Sequence, residues 1–99
     1  MKGLRRDPER AEVRALLRRL PLAGAPVLEI GCGDGRLTRR IAALARSVDA
    51  IDPDAEAVAD ARRLLPDGLA RQVRIQVGRG ERLPFGGGAF PVVICSWSL

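Results

Sequence analysis

Histidine is absent from the 99 residues. Within this chain that excludes a histidine general base, any histidine-dependent catalytic triad and the usual zinc ligand sets. Cysteine is scarce: Cys32 and Cys95 are the two present, too few for a disulfide framework and without metal-ligand spacing, so no metal site is expected. No apolar run approaches the roughly 20 residues that a membrane span needs. The start, MKGLRRDPER, is charged with no apolar stretch behind it, unlike a secretory signal. A cytoplasmic location without a membrane partner is the expectation. Aromatic residues make up 3%, which leaves little to stack on bases. Lysine is nearly missing as well. Sixteen of the seventeen basic residues are arginine, spread through every segment without a basic block. The net charge of +5 is therefore read as an arginine-rich general surface, and a nucleic-acid partner is disfavoured.

What remains is an ordinary globular composition, 46% apolar and 29% charged, in a length that holds one small domain. Residues 7–20 have helical spacing. Asp7 is placed to cap the helix, Pro8 and Glu9 suit its first turn, and Val13, Leu16, Leu17 and Leu20 form an apolar stripe. Arg10, Arg14 and Arg18 fall on the other, solvated side. Pro21 ends the helix and PLAGAP (21–26) is a link. Residues 25–30 predict a strand, and 36–46 a helix with Leu37, Ile41, Leu44 and Ala45 on one side. Residues 48–51 predict a second strand. Asp54 is an N-cap for a helix carrying Val58, Ala61 and Leu65, which Pro66 closes. Val73, Ile75 and Val77 alternate with Arg74 and Gln76 in a third strand, a glycine-rich loop fills 78–90, and 92–95 reads as a strand buried on both faces. Strands alternating with helices imply a mostly parallel sheet, whose ligands bind beyond the carboxyl ends of the strands.

The stretch VLEIGCGDG (27–35) ends the first strand in glycines at alternate positions. A dinucleotide fingerprint needs a third glycine where Arg36 stands, and a P-loop needs a Gly-Lys pair that is absent. Glu29 and Asp34 would also repel a pyrophosphate. The spacing that fits is acid-x-Gly-x-Gly-x-Gly, formed by Glu29, Gly31, Gly33 and Gly35. Asp52 follows 21 residues after Gly31, where an acid is placed to bind ribose hydroxyls. A ligand with a ribose, no phosphate and positive charge answers this pattern, and S-adenosylmethionine has all three.

From about Ala25 to Leu99 the sequence resembles the class I S-adenosylmethionine-dependent methyltransferases of the small-molecule type. Four stretches carry the likeness in order: VLEIGCGDG, AIDPD (50–54), GRGERLPF (78–85) and VVICSWSL (92–99). The resemblance implies a Rossmann-like, mostly parallel α/β sheet in a three-layer αβα arrangement, with strand order 3-2-1-4 so far as this chain reaches. It implies methyl transfer from S-adenosylmethionine to a small-molecule acceptor. The cofactor-binding residues expected are Glu29, Gly31, Cys32, Gly33, Gly35, Asp52, Pro53, Arg79, Gly80 and Cys95, and no catalytic residue is assigned. Arg79 stands where the family usually has an Asp that accepts from the adenine amino group, a bond Arg cannot accept. Pro91 replaces an Asp that usually opens the fourth strand, and no Asn-Pro-Pro-aromatic signature follows that strand.

The expected organisation is an N-terminal helix and linker (1–23) and a partial cofactor-binding domain (24–99). The family's core has seven strands, so the chain is expected to be a fragment or truncated product whose fourth strand forms an edge able to pair with another chain. Single residues keep two readings. Glu29 is a cofactor contact or a solvent-facing strand residue, and Asp52 a ribose ligand or the start of an Asp-Pro turn. Glu81 is a solvated loop acid or a cofactor contact, and Trp97 a cover for the site or an exposed remnant. Cys32 and Cys95 are two small apolar residues in a tight site or a redox pair. A catalytically silent binding module is the rival function. An NAD-type oxidoreductase is opposed by Arg36.

Overall fold

The computed structural model describes residues 14–80 and 90–96. The expected features at Asp7, Pro8, Glu9, Arg10 and Val13, at Glu81 and the rest of 81–89, and at Trp97 lie outside these residues.

Four parallel strands form the sheet: β1 (Pro26–Ile30), β2 (Ser47–Asp52), β3 (Val73–Val77) and β4 (Val92–Cys95), in the order β3-β2-β1-β4. Among the described residues three helices accompany them: α1 over residues 14–19, α2 (Arg36–Ala42) and α3 (Ala55–Leu64), with a 3₁₀ turn at Asp67–Leu69. The order and the parallel pairing are those that the sequence led us to expect.

Registers decide which residues share a face. Val27 pairs with Val48 and Val92, and Glu29 with Ala50 and Ile94. Val27, Val48, Ala50, Val73, Ile75, Val92 and Ile94 therefore line one face, where they form a single buried cluster with Leu17 of α1, Ile41 and Ala42 of α2, and Val58 and Ala61 of α3. Leu22, from the expected linker, is in the same cluster. Of the three expected layers, the described residues supply the sheet and this helical layer. Leu28 and Ile51, on the opposite face, are buried as well. The chain leaving β3 runs over their ends: a Cβ on Gly78 would lie 3.5 Å from Ile51, and one on Gly80 3.2 Å from Ile30 Cγ2.

Several expectations need correction. The second helix stops at Ala42, not residue 46. The Arg46 amide donates to Ala25 O, and Ala45 bridges Ala23, so this stretch is drawn into the entrance of β1. Gln72 Nε2 donates to Ala42 O at 2.9 Å and satisfies a carbonyl left open at the helix end. Leu44 and Leu16 drop out of their predicted stripes and are substantially exposed. The strand at 92–95 is buried on one face only: Val92 and Ile94 face the core, while Val93 and Cys95 are exposed. Among the described residues no element covers that second face of β4. Asp54 caps α3 as expected, accepting from the Glu56 amide at 2.9 Å, a contact of about 1 kcal/mol.

Candidate functional site

The ten expected site residues all lie at the carboxyl ends of strands. Glu29 is the penultimate residue of β1 and Gly31 to Gly35 follow that strand, Asp52 ends β2 with Pro53 after it, Arg79 and Gly80 follow β3, and Cys95 ends β4. Parallel strands bring these ends to one rim, with Ile30 registered against both Ile51 and Cys95.

The glycine loop depends on backbone shapes that L side chains resist. Gly31, Gly33 and Gly35 have φ of 81°, 55° and 86°. Their surroundings differ. A Cβ on Gly35 would meet Ala61 Cβ at 3.3 Å, so this glycine lets α2 start against α3. A Cβ on Gly33 would meet nothing within 4 Å, so Gly33 borders open space.

The amides of the loop are already spent. Those of Gly31 and Cys32 donate to Ile51 O, that of Gly33 to Asp52 Oδ2, that of Gly35 to Cys32 O and that of Arg36 to Asp34 Oδ1. An anion-binding loop needs free N–H groups converging on its ligand. Here five of the six amides from Gly31 to Arg36 are engaged within the protein, and the Asp34 carboxylate sits at the start of α2. The geometry thus opposes a phosphate, as the sequence did.

Asp52 is half-buried, and each carboxylate oxygen accepts one backbone amide: Oδ2 from Gly33 at 3.0 Å and Oδ1 from Asp54 at 2.9 Å. A carboxylate oxygen has lone-pair capacity for a second donor. Asp52 therefore both ties the loop to β2 and retains capacity for a hydroxyl. Pro53 beside it is exposed.

Glu29 takes neither of its two simplest readings cleanly. It is 0% exposed, on the helix-covered face, so it is no solvent-facing strand residue. Its Oε1 accepts from the Thr38 hydroxyl of α2 and its Oε2 from the Ser96 hydroxyl just after β4. Its carboxyl is raised above the usual range chiefly because burial strips it of water. The Ser96 and Thr38 hydroxyls pull it back down, and the nearby Asp52 charge adds a smaller push upward. Thr38 and Ser96 were missed in the sequence. The signal lay in Glu29 itself: it alternates with Val27 in a strand covered by helices, and a buried carboxylate requires donors from flanking elements.

The two cysteines do not form a pair. Both are free thiols. Cys32 packs in the core cluster, whereas Cys95 alternates with Ile94 and faces the other side of the sheet. Burial, with the Glu29 and then the Asp52 charge, pushes the Cys32 thiol up to about 12. Arg79 is exposed and Gly80 half-buried beside Ile30. Two clefts of about 410 Å³ lie elsewhere, one along α3 and β3 and one between α1 and α2. Their linings are largely arginine and apolar side chains, without a carboxylate.

A parallel sheet in the order 3-2-1-4, with a glycine loop after its first strand and an acid ending its second, defines a class that comparison with known proteins identifies. The methyltransferase domain family matches residues 27–99, and the chain belongs to that family. Over 59 residues it is 46% identical to the ubiquinone biosynthesis O-methyltransferase of Xanthomonas euvesicatoria pv. vesicatoria (strain 85-10), a match covering 59% of this chain and 25% of that one. The fold superimposes on the YcgJ protein of Bacillus subtilis with a TM-score of 0.78 at 23% identity, over 87% of this chain and 37% of that chain. It also superimposes on an S-adenosylmethionine-dependent methyltransferase from Thiobacillus denitrificans in complex with S-adenosyl-L-homocysteine, with a TM-score of 0.71 at 26% identity, over 88% and 37% of the two chains. The chain thus spans well under half the length of each of these relatives. No helix among the described residues is long and apolar enough to cross a membrane.

Proposed function

We propose that this chain is the cofactor-binding part of a methyltransferase, holding S-adenosylmethionine over the rim of β1, β2 and β4 for transfer to a small-molecule acceptor. The observation that carries the reading is the donor set. The loop offers spent amides and nearby carboxylates, Glu29, Asp34 and Asp52, which suit a cationic, hydroxyl-bearing ligand and not a phosphate. In this reading Gly31 and Gly33 let the backbone approach the methionine part, and Asp52 receives the ribose hydroxyls. Gly80 and Arg79 lie toward adenine, while Cys32, Pro53 and Cys95 complete the rim. The cofactor-binding unit runs over 24–99, and α1 closes its core through Leu17.

The cofactor supplies an activated methyl group whose leaving sulfur is already charged. Such a displacement relies largely on proximity and alignment. The absence of histidine therefore does not oppose the reading. β4 lies at the end of the described sheet, and its outer edge is suited to take another strand. Calorimetry with S-adenosylmethionine, S-adenosylhomocysteine and NAD tests the reading. Binding of the first two and not the third is expected, and binding of NAD alone, or of none, would sink it.

A further inference from the structure

The cleft between α1 and α2 lies toward the opposite end of the strands from the cofactor rim. α2 starts at the glycine loop and runs back toward the entrance of β1, where Ala45 bridges Ala23 and the Arg46 amide reaches Ala25 O. Beside the far half of α2, Arg40, Ala43 and Leu44 line the cleft together with Arg14, Leu17 and Arg18 of α1. Its volume of about 410 Å³ falls within the range of about 300–1,000 Å³ typical of small-molecule sites.

The lining has an apolar part and a charged part. Leu17 is buried in the floor, while Leu44 leaves 43% of its surface in water. Three arginines surround them. Elsewhere Arg36 has Asp34, Arg63 has Asp60 and Arg74 has Asp49, but among the described residues no carboxylate pairs with Arg14, Arg18 or Arg40. Arg14 and Arg18 stand four residues apart, one turn from each other on α1, a spacing at which like charges repel. Charge is also divided along the strand axis. Asp34, Asp52 and Asp54 gather at the carboxyl ends, whereas Arg46 directly precedes β2 and Arg71 stands two residues before β3. The field therefore repels an anion from the rim and draws it to the other end.

We propose that this cleft is a second binding site, for a small soluble amphiphile with a carboxylate or phosphate monoester on a short aliphatic body. The guanidinium group is planar and weakly hydrated, and it grips either head group through paired N–H donors. Binding answers three unpaired cations and takes the exposed part of Leu44 out of water in one step. A concave cleft of this volume suits a single molecule, whereas the flat face of a bilayer would rest on its walls and leave the floor wet. The site stands apart from the cofactor reading, because it shares no residue with the rim.

The test titrates the full, isotopically labelled chain with octyl phosphate and with octanoate, both below their micelle-forming concentrations, and reads the amide spectrum. Inorganic phosphate, octyltrimethylammonium and phosphatidylglycerol vesicles serve as comparisons. Both octyl anions should give saturable shifts centred on Arg14, Leu17, Arg18, Arg40, Ala43 and Leu44. Inorganic phosphate should bind about tenfold more weakly, since it leaves the apolar floor bare, and octyltrimethylammonium should leave these amides unmoved. Arg14→Ala and Arg18→Ala, both at exposed positions, should each weaken octyl phosphate about fivefold or more, the scale of one hydrogen bond to a charged group. Arg71→Ala removes an equal charge outside the cleft and should change that affinity less than about twofold. Should one cleft variant fail to fold, as its own spectrum reports, the other carries the comparison. Equal affinity for octyltrimethylammonium, equal losses in Arg71→Ala and the cleft variants, shifts centred elsewhere, binding to the vesicles alone, or no saturation overturns the proposal.

Discussion

The Gly33 amide donates to Asp52 Oδ2 at 3.0 Å, so the glycine loop after β1 is moored to the end of β2. The glycine loop and an acid 19 residues further along the chain thereby become one rim. Because Asp52 Oδ1 also accepts from Asp54, the carboxylate is oriented from two sides before any ligand arrives.

Asp52→Ala removes the mooring and, on the proposed reading, the ribose acceptor. Hydrogen bonds to a charged group contribute about 1.5–3 kcal/mol each, so S-adenosylmethionine affinity should fall by about tenfold or more. Calorimetry checks this, and an unchanged affinity would remove the ribose assignment.

Two glycine substitutions should part company. Gly33→Ala places a methyl group into open space at a φ of 55°, a strain of about 1–2 kcal/mol, and brings that methyl to the face offered to the cofactor. Gly35→Ala adds a contact of 3.3 Å with Ala61 Cβ to a φ of 86° and should be the more destabilising of the two. Thermal melts should rank Gly35→Ala below Gly33→Ala, while cofactor titration of the folded fraction should show the larger affinity loss for Gly33→Ala.

Thiol labelling should be one-sided. Cys32 is buried with its thiol pushed up to about 12, and Cys95 is exposed. At pH 8, iodoacetamide followed by peptide mass mapping should find Cys95 modified and Cys32 intact in the folded chain, with both modified in urea. Equal labelling in the folded state would contradict the placement of Cys32.

Glu29 gives stability a direction with pH. Its folded pKa lies above its unfolded value, so between the two the folded state binds more protons and stability falls as pH rises. The favourable contribution of the neutral form is complete below the unfolded value, near 4.5, and is lost as pH passes the raised folded value. Glu29→Gln should flatten this fall, with melts at pH 8 gaining on the parent more than melts at pH 4. The same variant should bind S-adenosylmethionine more weakly. Gains in stability coupled to losses in binding mark a group kept for function.

Much of this was readable in advance because local signals and topology agreed. Glycines at 31, 33 and 35 could end β1 only in a tight turn, and Asp52-Pro53 closed β2 where the apolar run stopped. What escaped notice depended on partners distant in the chain. The second helix ends early because Ala25 O takes the Arg46 amide, a contact decided by how β1 begins. The strand at 92–95 is as apolar as one buried twice, yet Val93 and Cys95 are exposed, since composition does not reveal which face is covered. Thr38 and Ser96 carry no periodicity of their own, and only the burial of Glu29 gives them meaning.

The central claim, that the rim of β1, β2 and β4 receives a cationic, ribose-bearing methyl donor, is tested most directly by titrating the isotopically labelled chain with S-adenosylmethionine and reading its amide spectrum. The account predicts saturable shifts concentrated at Gly31, Gly33, Asp52 and Gly80, with none on titration with NAD. Shifts confined to the cleft of Arg14, Leu17 and Arg40, or no shifts at saturating ligand, would contradict it.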